Sequence, residues 1–507
     1  MDQLKIMNRL YGTARWGVVG LVLGLGFLGV GRSFAASPSG RVAGDWEQSV
    51  VTVEVTGKAY NYFQPWSRSV KSIQKTCLAL RPGELLTTAD GFPDHTQIRL
   101  QKAGRGKWWL GKLKWVDYHA NLALVDAEDP AFWKGVKMGA LASKSTLAGP
   151  MQVLKWRSGN LESRRADFTQ FTVRDANLSW VHHLHLEIDT ELEGPGLGEL
   201  IISGNRVIGL VSAKEGKKVL AIPSSFMMPV LEAGRKGGFR GLGYFDFVWQ
   251  PGSNPASLQY LGVSGDAKGV VVIDVPTEPG KTPVLKPKDV LLSVDGFEVD
   301  TEGDYNDPDY GHLMLENLAT RGHWAGDTIK LRILREGKVM EVGFVLPRVE
   351  YSTELVPAGG FDKAPEYLIA GGLMFQPLKM ALLKAWGENW ERRVPFRLAY
   401  YRNEKRTTDR ASRVVLTQVL PDAYNLGYQE SRYLVVDKVN GKMISRLQDL
   451  EAAFQQPKDG FHVLEFAHGD SLQRIVLDAS QMATATQRVL KRYGMTAAQV
   501  IHPDGAK

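Results

Sequence analysis

The chain has 507 residues, 44% of them apolar and 23% charged. That length allows about three domains, and that composition excludes wholesale disorder, collagen and coiled coil. The formal charge of +7 comes from 62 Lys+Arg against 55 Asp+Glu, with no block of five like charges, so nucleic-acid binding gains no support. The single cysteine, Cys77, excludes an intrachain disulfide framework and a Cys-rich metal site.

The first 35 residues predict an export signal. Lys5, Arg9 and Arg15 precede an apolar run from Trp16 to Val30, and Ser33-Phe34-Ala35-Ala36 offers small residues for cleavage after Ala35. The run is shorter than the ~20 residues that span a bilayer, so cleavage is expected, with an uncleaved membrane anchor as the alternative. Residues 1–35 hold four Lys+Arg and one Asp, so the remaining chain carries 7 − 3 = +4. The expected location is exported, periplasmic or otherwise extracytoplasmic.

From Val50 onward, short β-rich runs alternate with Gly and Pro: Val50–Val55, Gln97–Leu100, Leu122–Val125, His185–Ile188 and Arg206–Val211. This spacing predicts barrels or sandwiches. Helical periodicity is sparse: Ser225–Ala233, Tyr310–Ala319, Leu447–Gln455 and Gln481–Arg492. No GxGxxG follows a strand and no GxxxxGK[ST] occurs, so no nucleotide cofactor is expected.

Two downstream segments share an order of strand, turn, strand ending in Asp-Gly or Asn-Gly, short helix and paired strands. The first holds Gly269–Pro276, Leu285-Lys286-Pro287-Lys288-Asp289-Val290-Leu291-Leu292-Ser293-Val294-Asp295-Gly296 and Gly326–Lys338. The second holds Arg413–Pro421, Tyr433–Gly441 and Phe461–Phe466. This repeat resembles tandem PDZ domains. Such domains offer backbone N–H groups of a Gly-containing loop to a terminal carboxylate, and a strand edge to the peptide. The resemblance places the peptide-binding loops at Gly241, Leu242, Gly243 and Tyr244, and at Gly371, Gly372, Leu373, Met374 and Phe375. The alternative is that these glycines only make turns.

With the preceding barrel-like region, nearly the whole chain past the leader resembles the HtrA/Deg family of trypsin-like serine proteases. Ala364–Leu378, Ala131-Phe132-Trp133 and Arg488–Tyr493 resemble its plant-organelle and bacterial Deg branch. The family's histidine motif I-L-T-N-A-H reads Leu85-Leu86-Thr87-Thr88-Ala89-Asp90 here. Its aspartate motif D-L-A-L-L reads Asn121-Leu122-Ala123-Leu124-Val125. Its serine motif N-P-G-N-S-G-G-P falls on Glu193-Gly194-Pro195-Gly196-Leu197-Gly198-Glu199-Leu200. Leu197 has no nucleophilic atom, Asp90 is a far weaker base than imidazole, and Asn121 carries no charge. The resemblance therefore implies a pseudoprotease. Gly194, Gly196 and Gly198 are expected to permit a turn, and not to hold an oxyanion, because Glu193 and Glu199 flank them.

Other chemistry is weaker. His182, His183 and His185 invite a zinc site with His119 or Asp90, but solvated strand histidines are expected. His95 has no nucleophile to serve. The acidic stretch Asp300–Asp309 lacks EF-hand spacing and reads as a solvated loop, with His312 and His323 on the surface nearby. No metal and no cofactor are expected.

The fold expected is mostly β: a trypsin-like double barrel over 44–232, PDZ domains over 236–348 and 349–480, and a C-terminal helix and tail over 481–507. The expected function is binding of peptides or unfolded proteins, including C-terminal carboxylates, without catalysis. The protein then serves as holdase, adaptor or regulatory subunit. The resemblance implies a homo-oligomer such as a trimer, or a hetero-oligomer with active relatives. The alternatives are a serine endopeptidase using non-standard residues and a structural envelope protein.

Overall fold

The computed structural model describes residues 46–502, apart from 144–148, 191–195, 216–217, 277–281, 352–353, 359, 388 and 408. The expected leader, residues 1–35, lies outside the described residues. The protein is mostly β, as expected, and opens with two closed antiparallel barrels of six strands each.

The first barrel comprises β1 (Val50–Tyr60), β2 (Arg68–Arg81), β3 (Glu84–Thr87), β4 (His95–Lys102), β5 (Trp108–Asp117) and β6 (Leu122–Ala127), in the order β1-β2-β3-β6-β5-β4. The second comprises β7 (Met151–Arg157), β8 (Asn160–Asp175), β9 (His182–Thr190), β10 (Leu200–Ser203), β11 (Arg206–Glu215) and β12 (Lys218–Pro223), in the order β10-β11-β12-β9-β8-β7. Closure removes sheet edges, and period-two alternation fills the interiors. In β1, Val51, Val53 and Val55 point inward onto Cys77, Leu85 and Leu100. A separate cluster joins the barrels, with Trp46, Leu78 and Leu86 of the first against Leu154, Leu200 and Leu210 of the second. Loops at this junction are therefore held from both sides. Helix α1 (Ser224–Arg235) closes the pair.

The second unit has α2 (Pro255–Tyr260), β13 (Val248–Gln250), β14 (Val270–Asp274), β15 (Val290–Val294), β16 (Phe297–Glu298), β17 (Asp304–Asp307), β18 (Gly311–Met314), β19 (Thr328–Arg335) and β20 (Lys338–Val345). Its main sheet runs β13-β14-β15-β19-β20, so β13 is an edge strand. The helix expected over Tyr310–Ala319 does not form. β18 pairs with β17 so that Tyr305 faces Leu313, burying both, and only Leu315–Ala319 winds as a 3-10 turn.

The third unit holds β21 (Tyr367–Ala370), β22 (Leu373–Pro377), α3 (Met380–Lys384), α4 (Trp390–Arg393), α5 (Phe396–Tyr400), β23 (Val414–Val419), β24 (Leu434–Val439), β25 (Lys442–Met443), α6 (Leu447–Phe454), β26 (Phe461–Phe466), β27 (Arg474–Asp478), α7 (Met482–Arg492) and β28 (Gln499–Val500). Its sheet runs β27-β26-β24-β23-β22-β21-β28. The helix and tail therefore belong to this unit, since β28 is its last strand.

Candidate functional site

Asp90 and Asn121 meet at the barrel junction. Asp90 sits one turn beyond β3, and Asn121 immediately precedes β6 with a left-handed φ of 52°, a conformation Asn tolerates well. Asn121 Nδ2 donates to Asp90 Oδ2 at 3.0 Å, and its Oδ1 accepts the Ala89 N–H at 2.9 Å. Asn177, which the motif comparison missed, donates through Nδ2 to Asp90 Oδ1 at 3.2 Å and to the Ser212 carbonyl at 2.6 Å. Asp90 is 7% exposed, so both its oxygens are held by amides away from bulk water.

Lys75 completes the cluster. It stands on β2 among inward positions, next but one to Ile73 and Cys77, and is 4% exposed. Its ammonium donates to the carbonyls of Thr88 (2.5 Å) and Asp90 (2.6 Å) and to Thr88 Oγ1 (2.9 Å). Three donors thus meet three acceptors. Burial pushes its pKa down to about 8, against the pull of Asp90. A positive apolar-strand residue was the available sequence signal. Cys77 is fully buried beside it, and burial pushes its thiol pKa up to about 12.

The turn onto which the resemblance places the serine motif packs on the same wall. Gly198 has φ 75°, and a Cβ there would lie 2.6 Å from the Thr76 carbonyl and 2.8 Å from Thr87 Oγ1. Its N–H donates to Val211 O at 2.8 Å, and the Glu199 N–H donates to Gly196 O at 3.1 Å. Those two donors are thus used inside the fold. Gly194 and Glu193 lie outside the described residues. Thr87 and Thr88 are the hydroxyls beside Asp90; both are fully buried, Thr87 donating to Thr76 O and Thr88 accepting from Lys75.

Glu199, expected to keep an anion from this turn, turns inward beside Lys155 at 3.4 Å. Burial pushes its pKa up to about 7, with Lys155 opposing. The folded state therefore keeps this proton longer than the unfolded chain does. Its favourable contribution is complete below about pH 4.5 and is lost as pH rises through 7. Glu199→Gln is expected to remove that slope and to gain about 2 kcal/mol at pH 8, measured by urea unfolding at several pH values.

The segment after the second unit crosses this face. Tyr351 donates to Leu178 O at 2.7 Å and stacks on His119 at 4.3 Å. Asp362 accepts the Asp94 N–H at 2.8 Å and the Tyr118 hydroxyl at 2.9 Å. His119 bonds Ser179 Oγ at 2.8 Å, and burial pushes its pKa down to about 4. The loops bearing Asp90, Asn121 and Asn177 are thus tied to the chain that leads into the third unit.

The two candidate peptide loops differ. In the first, Gly241 O accepts from Ala325, Leu242 O accepts from Val349, and Gly243 bridges Arg348. A Cβ on Gly243 would lie 2.8 Å from Leu346 Cβ, so this glycine is needed for packing. Tyr244 meets the Trp180 ring at 4.7 Å. The following strand, β13, keeps an open edge. In the second, Gly371 and Gly372 are the turn between β21 and β22. Their φ values are 59° and 88°, and the Gly371 N–H donates to Thr486 Oγ1 at 2.8 Å. Leu373, Met374 and Phe375 are buried in β22, which pairs with strands on both sides. The outer edge of β21 is covered by β28. Gln448 on α6 donates to His502 O at 2.9 Å, and Gln499 donates to Glu451 at 2.8 Å. The chain's own tail thus lies along β21 beside α6.

His183 and His185 are buried rather than solvated, a correction to the expectation. Their rings stack at 4.4 Å, and His183 stacks on Phe226 at 4.3 Å. Burial pushes both pKa values down, holding the rings neutral. Neither gathers with His119 and Asp90 as a ligand set among the described residues; the group that does gather is Asp300, Asp304 and His312, exposed or half-exposed on the inserted hairpin. Asp300 Oδ1 there accepts the N–H groups of Glu302 and Asp304, which accounts for the acidic loop as a turn.

A family model described as PDZ domain matches residues 356–500. "Putative protease Do-like 13" of Arabidopsis thaliana is 24% identical over 457 residues, covering 88% of this chain and 87% of that protein. "Protease Do-like 2, chloroplastic" of the same plant is 26% identical, covering 88% and 74%. "Putative protease Do-like 3, mitochondrial" is 23% identical, covering 79% and 71%. Among solved structures, "HtrA-type protease AlgW with decapeptide" aligns at a TM-score of 0.45 and 16% identity, covering 60% of this chain and 96% of that one. Among the described residues, no helix is long and apolar enough to cross a membrane. The chain is a homologue of HtrA/Deg-family proteases, built on two closed β-barrels and carrying a PDZ domain at residues 356–500.

Proposed function

We propose that this protein binds extended peptides or unfolded polypeptide without cleaving them. The observation that carries the reading is the Asp90–Asn121–Asn177 cluster with Leu197 at the serine position. Acyl transfer needs a nucleophile, and a base that takes its proton. Here the carboxylate is occupied by two amide donors, and the neighbouring threonine hydroxyls are buried and engaged. In this reading Asp90 and Lys75 are structural and keep the barrel junction closed.

Binding is assigned to the second unit, read as the first PDZ domain. Its β13 edge is open to an added strand, whereas the equivalent region of the third unit is occupied by paired strands and the tail. Residues 1–35 direct export, and the protein acts there as holdase or adaptor, as a homo-oligomer or together with active relatives. Amide hydrogen exchange tests the assignment. Saturating unfolded casein peptide is expected to slow exchange at residues 245–250 and to leave 367–377 unchanged. Protection confined to 367–377, or none anywhere, would overturn it.

A further inference from the structure

A cavity of about 380 Å³ opens between the first barrel and the third unit. Its walls are rich in hydrogen-bond donors. Lys71 and Lys363 line it without an ion pair among the described residues, and Lys58 faces only the Asp94 carboxyl. The hydroxyls of Tyr60 and Tyr62 line it without a hydrogen-bond partner among the described residues. Gln376 is 2% exposed, lines the same wall, and its side-chain carbonyl Oε1 accepts no hydrogen bond among the described residues. A buried carbonyl ordinarily has a donor, so this one calls for an N–H or O–H arriving from the cavity.

The acidic side is weaker. Of the two carboxylates on the wall, Glu366 is already held by Lys379 at 2.7 Å and by the His502 N–H at 3.1 Å. Asp94 is the other. Asp362 stands behind Asp94, its Oδ1 accepting the Asp94 N–H at 2.8 Å, so four lysines meet three acids and the balance is one positive charge. Compact ammonium charges on flexible stems, with tyrosine hydroxyl donors beside them, suit an anion with several oxygens, and the Gln376 carbonyl suits a donor on the same ligand. The volume matches the lower end of small-molecule sites.

We propose that this cavity binds a small polyanion bearing two or more carboxylate or phosphate groups and an N–H or O–H that reaches Gln376 Oε1. The inference is independent of whether the barrels cleave peptides and of the β13 edge. Isothermal titration of the full chain at low ionic strength tests it, with citrate, pyrophosphate and a tri-glutamate peptide as probes. At least one probe is expected to bind saturably. The Lys58→Gln, Lys71→Gln, Lys363→Gln triple variant is expected to weaken it at least about tenfold. These lysines are exposed or half-exposed, so the triple variant should melt as the wild type does. Gln376→Asn is expected to weaken binding, whereas Lys268→Gln, away from the cavity, should not. Preference for citrate or tri-glutamate over pyrophosphate assigns the ligand to carboxylates; the reverse assigns it to phosphates. No saturable heat with any probe, or wild-type binding by the triple variant, would overturn the proposal.

Discussion

Lys75→Met is expected to destabilise the barrel pair by roughly 3–5 kcal/mol, among the largest effects of any single substitution in the chain. The methionine fills most of the volume but donates nothing. The carbonyls of Thr88 and Asp90 and the Thr88 hydroxyl then remain buried without their donor. They flank Ala89, whose N–H is fixed by Asn121, so the loop cannot swing out to water without breaking that contact as well. Chemical unfolding followed by tryptophan fluorescence reads the loss. The pH profile adds a second signature. The folded-state pKa of about 8 lies below the usual lysine value, so the unfolded chain binds the extra proton between about pH 8 and 10.5. The wild type should therefore gain stability over Lys75→Met as pH rises through that window. A substitution cost below about 1 kcal/mol would remove Lys75 from its structural role.

Leu197→Ser is expected to leave activity at least about 10⁴-fold below that of an enzyme with a complete triad, because losses within a catalytic unit are not additive. The new hydroxyl would have no imidazole to take its proton. Asp90 is committed to Asn121 and Asn177, and Lys75 spends all three protons on the loop that carries Asp90. Digestion of fluorescent casein by the purified variant measures this. Turnover within about tenfold of a complete-triad enzyme would mean that Asp90 or Lys75 serves as base, and that the cluster is catalytic.

Much of this was legible in the residues. Val51, Val53 and Val55 alternate with polar neighbours, and such runs can only bury one face, so a barrel followed from pattern. Asp90 and Asn121 were found by motif because each stands at a fixed offset from a strand end. Asn177 was not, since it lies in a loop far along the chain and reaches Asp90 only when both barrels close. The Tyr310–Ala319 helix failed because Tyr305 and Leu313 bury better as a cross-strand pair than as separate turns. His183 and His185 alternate with apolar residues in a strand whose both faces turned out to be covered, and periodicity alone cannot tell a wet face from one capped by Phe226. The closed state of the Gly371-Gly372 turn depends on Thr486 of α7, which takes the Gly371 N–H from 115 residues further along, and a local glycine pattern carries no trace of it.

The most direct test is digestion of unfolded casein by the purified wild-type protein, run beside labelling with a fluorophosphonate that reacts with activated serines. No label above background is predicted, and no cleavage, from a preparation that still binds casein peptides. Cleavage that co-purifies with the protein and disappears in Asp90→Ala would contradict the account.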